Sequence, residues 1–100
     1  MRSSLLFLLL ISVLLTGTAS ATTYVVNPQG TGDFPTIQAA VDATEDGDVI
    51  ELEDGVYTGD GNRDVDYLGK AITIRSQSGN PATCIIDCQA SALDPHRGFL

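Results

Sequence analysis

Apolar and polar positions alternate with two different periods along this chain. Thr23–Val26 is β-branched and aromatic, which is typical of a strand. After a turn-forming stretch, three apolar residues recur at helical spacing and predict one short amphipathic helix. These residues are Ile37, Ala40 and Val41. Thr36 is expected to cap the helix, and acidic side chains should end it by about Thr44, because they add negative charge to the negative end of its dipole.

Beyond the helix the pattern indicates short strands separated by turns. Gly47 is expected in a left-handed turn, and Thr58–Asp64 in a polar loop. Strands are predicted at Val49–Leu52, from Val56, at Ala71–Arg75, at Cys84–Cys88 and from Gly98. Ile50, Ile72 and Phe99 recur at intervals of roughly 20–30 residues, a spacing that is typical of a β-solenoid. A sandwich, in which turns recur every ~8–12 residues, is the less favoured alternative. The side chains predicted to face the interior are Ile50, Leu52, Ile72, Ile74, Ile86 and Phe99.

The segment 1–21 has the three parts of a secretory signal peptide. Met1-Arg2 gives a positive start, Leu5–Leu15 is apolar except for one serine, and Ala19-Ser20-Ala21 has the form of a cleavage site. The apolar run is much shorter than the ~20 residues that a membrane-spanning helix needs. We therefore expect cleavage near Ala21, a secreted or cell-surface location, and no membrane span in the mature chain.

The mature chain, Thr22–Leu100, is small and acidic. It carries four basic and 13 acidic side chains, a net charge of −9 with histidine neutral. This charge repels nucleic acid and anionic membrane surfaces, so no nucleic-acid partner is expected. The chain ends on the apolar, strand-like Gly98–Leu100. We expect it to be the N-terminal piece of a longer protein and to be marginally stable or prone to association by itself, since stacked repeats need about three units.

Three segments resemble secreted right-handed parallel β-helix proteins of the pectin-lyase-like superfamily. They are Gly30–Ala43 (GTGDFPTIQAAVDA), Gly47–Tyr57 (GDVIELEDGVY), and Asn62–Ser76 (NRDVDYLGKAITIRS) followed by CIID. The first two also resemble the opening of pectinesterases, and the third is similar to bacterial or archaeal β-helix repeat proteins. The resemblance implies an all-β fold, a right-handed parallel β-helix (solenoid) with a short N-terminal capping helix. The implied organisation is a signal peptide at 1–21, a strand and capping helix at 22–48, and the first rungs, meaning stacked turns of the β-helix, at 49–100.

The same resemblance implies two functional classes. Pectinesterases carry their catalytic aspartates, glutamines and arginine on central rungs, and nothing in Thr22–Leu100 matches those motifs. No residue is therefore assigned a catalytic, cofactor-binding or metal-binding role, and no cofactor is expected. We predict an exported β-helix repeat protein with a polysaccharide-binding or scaffold role, which the repeat-like Asn62–Ser76 favours. The alternative is a carbohydrate-active enzyme, pectinesterase- or pectate-lyase-like, whose catalytic rungs lie beyond residue 100.

Cys84 and Cys88 are the two cysteines of the chain. Four residues of extended strand span ~13 Å, whereas the Cα atoms of a disulfide lie ~4.4–6.8 Å apart. The predicted strand therefore favours packing of both thiols beside Ile86 in the interior. A bridge to a cysteine on a later rung, a mutual disulfide and a metal site remain as alternatives.

Asp60–Asp66 places oxygen-bearing side chains at alternate positions, as calcium loops do. Val65 stands at the sixth position, where such loops need Gly, and Ala71 stands at the twelfth, where they need Glu. The pattern therefore favours a solvated turn between rungs over a calcium site.

Two further groups have both a chemical and a structural interpretation. His96, beside Asp94 and Arg97, has the side chain of a general base, but no nucleophile is apparent near it, so a loop histidine is favoured. The acidic groups Glu45–Asp48 and Glu51–Asp54 resemble the paired carboxylates of glycoside hydrolases. Both flank turns, where Asp-Gly is expected for backbone reasons, so a structural role is favoured.

Overall fold

The structure, a computed structural model, describes residues 20–100, so most of the predicted signal peptide lies outside the described residues. The described part contains one α-helix and five β-strands. In chain order they are β1 (Thr23–Val26), α1 (Ile37–Ala43), β2 (Val49–Leu52), β3 (Gly55–Tyr57), β4 (Thr73–Ser76) and β5 (Cys84–Ile86). The predictions for β1, α1 and β2 are confirmed. β4 begins two residues later than predicted, and β5 ends two residues earlier.

All the paired strands run parallel. β1, β2 and β4 form one sheet in that order, and β3 pairs with β5 in a second sheet. A further parallel bridge lies outside the named strands. The stacked pairs are Val49–Thr73, Gly55–Cys84 and Val65–Phe99. Three segments of the chain therefore pair with three later segments that follow in the same order. We call the sheet of β1, β2 and β4 the first face, the pair of β3 and β5 the second face, and the Val65–Phe99 bridge the third face.

The register differs from the predicted one at two positions. Ile50 lies opposite Ile74, not Ile72, because the turn after Gly69 takes up two more residues before the strand begins. Phe99, predicted to repeat Ile72, instead pairs with Val65 on the third face. Hydrophobic spacing identified the correct segments. Residues 71–74 (AITI) alternate, however, so pairing Ile50 with Ile72 or with Ile74 would each place an isoleucine on the buried side.

The interior is filled from all three faces and from α1. Its buried apolar side chains are Val26, Ile37, Ala40, Val41, Ile50, Leu52, Tyr57 and Val65. Ile72, Ile74 and Ile86 are half-buried and pack against this core, as predicted. Phe99 is less buried than predicted, with 38% of its surface exposed. It lines an open cleft beside β4 and β5, and its ring meets that of Tyr67 with the centroids 6.0 Å apart.

α1 begins and ends where the sequence predicts. The Thr36 hydroxyl accepts a hydrogen bond from the backbone N–H of Ala39 (3.1 Å), which satisfies one unpaired donor of the first turn. The backbone N–H of Thr44 donates to Ala40 and Val41 at the other end. Gly47 then has φ +91°, the left-handed conformation predicted for it.

Two long-range contacts fix the helix to the next turn of the chain. The buried Asn62 amide accepts a hydrogen bond from the Ile37 N–H (3.0 Å) and donates to the Thr58 carbonyl (3.2 Å). At the other end, the Lys70 ammonium donates to the carbonyls of Val41 (2.8 Å), Asp42 (3.1 Å) and Thr44 (2.7 Å). Lys70 thus supplies the positive charge that the acidic C-terminal end of α1 lacks in its own sequence.

The outer edge of β1 is occupied by the loop that follows it. The Val25 N–H donates to the Asp33 carboxylate (2.7 Å), and the Asp33 N–H donates to the Val25 carbonyl (2.7 Å). Gly32 permits this approach, because a Cβ there would lie 2.5 Å from the Val25 carbonyl oxygen. The first face is therefore covered at β1, whereas the far edge of β4 has no strand partner among residues 20–100.

Tyr57 ties β3 to the first face. Its ring is fully buried, and its hydroxyl lies 2.9 Å from the Val26 carbonyl and 2.7 Å from the Glu53 carbonyl. Burial raises the pKa of this hydroxyl well above its ordinary value, so it remains a proton donor. The hydroxyl satisfies carbonyls at the junction between the first two faces.

Candidate functional site

The third face brings together the titratable groups that the sequence left apart. The Asp64 N–H donates to the Arg97 carbonyl (2.6 Å), and the Val65 N–H donates to the Gly98 carbonyl (3.0 Å). The Leu100 N–H returns a bond to the Val65 carbonyl (2.9 Å). This short parallel contact places the loop before Arg97 over the Asp64 side chain.

His96 lies between two carboxylates. Its Nδ1 is 2.5 Å from Asp64 Oδ2, and its Nε2 is 3.1 Å from Asp94 Oδ1. The first contact is a hydrogen bond, whereas Nε2 is buried and not aligned for one, so its interaction with Asp94 is one of charge. The imidazole is only 16% exposed, and the Asp94 side chain is 71% exposed. His96 therefore lies in a loop, as the sequence favoured, but it is packed and paired with carboxylates that the sequence did not connect to it.

The protonation states of this cluster follow from its geometry. The hydrogen bond to Asp64 raises the pKa of His96, and the nearby Asp94 carboxylate acts in the same direction. Hydrogen bonds from the Arg97 N–H and from His96 hold the pKa of Asp64 below its ordinary value. The pair is thus an imidazolium and a carboxylate under mildly acidic conditions.

This arrangement stabilises a contact better than it performs proton transfer. A general base needs a neutral imidazole with an accessible nitrogen, but Asp64 occupies Nδ1 and Nε2 is buried against Asp94. A hollow of about 440 Å³ adjoins the cluster and is lined by Asp64, Pro95, His96, Arg97 and Leu100. The hollow thus has the exposed Arg97 beside the paired groups, with Pro95 and Leu100 as apolar parts of its lining.

A second, more apolar cleft opens where β4 and β5 end the stack. Its volume is about 540 Å³, and its lining includes Leu52, Ile74, Cys84, Ile86 and Phe99. Ile74, Cys84 and Ile86 come from β4 and β5, the last strands of their sheets, and they pack against the core to which Leu52 belongs. The cleft is thus a continuation of the core, left uncovered on one side by the described residues.

Both cysteines are free and half-buried. Cys84 Sγ packs near the Leu52 and Glu53 carbonyls (3.9 and 3.8 Å), and Cys88 Sγ lies 3.6 Å from the His96 carbonyl. Cys84 belongs to the group packed against the core, which agrees with the favoured interpretation of that residue. The two side chains share the inward side of β5 and its extension with Ile86, as predicted.

The oxygen atoms of Asp60–Asp66 point to separate partners. Asp60 forms an ion pair with Arg63 (3.0 Å), Asn62 caps α1 from the interior, and Asp66 accepts from the Leu68 N–H (2.9 Å). No group of three or more potential ligands is arranged around a common point in the part of the chain that the structure describes. The segment is a structural turn, although Asn62 is buried and not solvated as the sequence suggested.

The first acidic group also serves the backbone. Asp48 is buried, and its two carboxylate oxygens accept from the backbone N–H groups of Glu45 and Thr22 (both 2.9 Å), which lowers its pKa. Asp46 accepts from the Ala71 N–H (2.9 Å) and so fixes the start of the next turn of the chain.

The second acidic group is divided between two surfaces. Glu51 forms an ion pair with Arg75 (2.8 Å) on the outer side of the first face, and Asp54 accepts from the Ser78 hydroxyl (2.7 Å). Members of both acidic groups thus bind a cation, a hydroxyl or backbone N–H groups, which agrees with the structural role that the sequence favoured.

Comparisons with known proteins do not add a functional assignment. The helix among residues 20–100 lacks the length and apolar character needed to cross a membrane. No protein-family model, curated protein or solved structure gives a significant match to this chain.

Proposed function

We propose that this chain forms the capped beginning of an exported right-handed parallel β-helix of the pectin-lyase-like type, with an extracellular polysaccharide-binding or scaffold role. The observation that carries the proposal is the recurrence of three parallel-paired positions in the same order along the chain. A chain in which three successive segments each pair in parallel with a later segment, and in which the later segments follow in the same order, has the path expected of a coil. Parallel crossovers are right-handed in about 98% of cases, which supports the proposed hand.

The two ends of the stack support its assignment as a beginning. On the β1 side, Asp33 occupies the strand edge and α1 packs its apolar residues into the interior. Such a cover protects a solenoid from edge-to-edge association and from exposure of its core. On the β4 side the core continues into the apolar cleft, a surface suited to receive another rung.

The outer surface supports a binding or scaffold role for the stacked faces. Outward side chains from neighbouring strands form ladders, such as the Glu51–Arg75 ion pair on the first face. Val56 and Ile85 form a second ladder and are 50% and 43% exposed. Neighbouring strands repeat such features every ~4.8 Å, which offers an extended polymer a regular surface. The net charge of −9 favours a neutral polymer over a polyanion.

A binding panel tests this proposal. The purified protein would be incubated with insoluble glucan, xylan, chitin and polygalacturonate, and the bound fraction measured together with any released methanol or cleaved polymer. We expect retention on a neutral polymer without cleavage, weakened by Arg75→Ser on the first face. Glu45→Gln, whose side chain makes no hydrogen bond or ion pair among residues 20–100, is the control. Absence of binding to every polymer, or methanol release from pectin, would overturn the binding or scaffold role.

A further inference from the structure

The third face is closed by fewer backbone contacts than the other two. β2 and β4 are paired over four residues and β3 and β5 over three, but the third face has a single bridge, Val65–Phe99. Segment 94–100 is therefore held mainly by three backbone hydrogen bonds and by the side chains of its own loop. Contacts of this limited extent open more readily than the strands beside them.

The His96 cluster provides polar side-chain contacts across this face, and the Tyr67 and Phe99 rings meet beside it with their centroids 6.0 Å apart. Asp64 uses both carboxylate oxygens on segment 94–100: Oδ1 accepts from the Arg97 N–H (2.9 Å), and Oδ2 binds His96 Nδ1 (2.5 Å). Asp94 lies on the other side of the ring. Of the cationic groups nearby, Arg63 opposes a positive charge on His96 but is itself paired with Asp60 and with the Cys88 carbonyl.

We propose that His96 is a pH-sensitive latch: its protonated ring fastens segment 94–100 onto Asp64, and loss of the proton loosens the third face. A protonated ring donates from Nδ1 to Asp64 and carries positive charge towards Asp94. A neutral ring that keeps its Nδ1 proton no longer attracts Asp94 and leaves the partial negative charge of Nε2 3.1 Å from that carboxylate, which is repulsive. The exposed Asp94 then turns away or the loop opens, and the proposal does not depend on polysaccharide binding.

The direction of the pH effect follows from the two pKa shifts. The pKa of His96 is raised in the closed segment, so the stability it contributes is complete below about 6.5 and is lost as pH rises through the raised value. The pKa of Asp64 is lowered, so its contribution is present above about 3.8 and is lost only in stronger acid. The latch is therefore closed in mildly acidic surroundings and loosens as the pH rises through the raised pKa of His96.

Amide hydrogen exchange between pH 5 and 9, corrected for intrinsic rates, tests this inference. We expect the Val65 and Leu100 amides to lose protection above the His96 pKa, by about tenfold for each unit between the pKa values of the closed and open segment. The Thr73 amide, which bonds Asp48 in the first face, is the internal reference and should not follow this profile. A titration of the ring nitrogens by NMR gives the His96 pKa independently of exchange.

Variants separate the latch from general instability. His96→Gln should abolish the pH dependence and leave constant, reduced protection at Val65, and Asp64→Asn should lower the pKa of His96. Glu45→Gln removes an exposed charge that is not among the groups acting on the pKa of His96, and it should change neither. A pH-independent protection in the unaltered protein, the same pH profile in His96→Gln, or an NMR pKa of His96 at or below 6.5 would each overturn the proposal.

Discussion

Replacement of Lys70 by Met tests how the capping helix is held in place. The substitution keeps most of the side-chain length and apolar stem but removes the ammonium group. In the structure this group donates to three carbonyls at the C-terminal end of α1, between 2.7 and 3.1 Å away. Because α1 has only seven residues and no basic residue in its last turn, Lys70 is the cation that balances this end of its dipole.

The expected loss is about 1–2 kcal/mol of unfolding free energy. A hydrogen bond to a charged group contributes ~1.5–3 kcal/mol when buried, but Lys70 is half-exposed and the three contacts share one group. The Val41 carbonyl keeps two bonds from Thr44, so only the carbonyls of Asp42 and Thr44 turn to water. A cation at a helix C-terminus contributes ~0.3–1 kcal/mol, and up to ~2 kcal/mol when it is partly buried, which agrees with the expected loss of unfolding free energy.

Urea and thermal unfolding measure the effect, with Arg75→Met as the matched control. Arg75 is 56% exposed and pairs with Glu51, a surface contact worth ~0–1 kcal/mol. For a domain of this size, ~1 kcal/mol shifts the melting temperature by about 4–8 °C. Hydrogen exchange at Thr44 should also accelerate in Lys70→Met alone. Equal destabilisation by the two variants, with unchanged exchange at Thr44, would refute the assignment of Lys70 to the helix end.

Three further substitutions test other contacts. Asn62→Ala should lower the free energy of unfolding in urea by about 2–4 kcal/mol, because it leaves the Ile37 N–H and the Thr58 carbonyl without their partner. A loss below about 1 kcal/mol would contradict this. Gly32→Ala should lower the free energy of unfolding by at least about 1 kcal/mol, since its Cβ would lie 2.5 Å from the Val25 carbonyl oxygen. Unchanged hydrogen exchange at the Val25 amide would contradict this, because it would show that the loop still binds the β1 edge. Tyr57→Phe removes the hydroxyl that bonds the Val26 and Glu53 carbonyls, and it should lower the free energy of unfolding by about 1–2 kcal/mol without changing its dependence on urea concentration. An unaltered urea midpoint would mean that water replaces the hydroxyl.

The local elements could be predicted from the sequence because each depends on neighbouring residues. Val49–Leu52 alternates over a complete strand, and Thr36 provides an N-cap directly before the apolar face of α1. The parallel, stacked arrangement could be predicted from strand spacing, but the register could not. The choice between Ile72 and Ile74 as the partner of Ile50 depends on the path of the preceding turn, and both alternatives bury an isoleucine.

The candidate site was largely inaccessible to sequence reasoning. His96 and Asp64 are distant in the sequence, and the third-face bridge brings them together. Lys70 likewise meets the end of α1 from the next turn of the chain. The sequence offered only indirect indications of these contacts. The C-terminal end of α1 is acidic and has no basic residue of its own, and His96 lies beside Asp94 and Arg97 without an apparent nucleophile. Neither indication identifies which distant side chain supplies the contact.

The covered outer edge of β1 has a consequence for how this chain folds. Since Asp33 occupies that edge, strands can add to the stack only from the β4 side. Each addition closes a loop of similar length, whatever the length of chain already folded. The entropy of loop closure is therefore nearly the same at every step, because it grows only as the logarithm of loop length. If further rungs follow as proposed, we expect assembly to run from N-terminus to C-terminus, which is also the order in which a ribosome releases the chain.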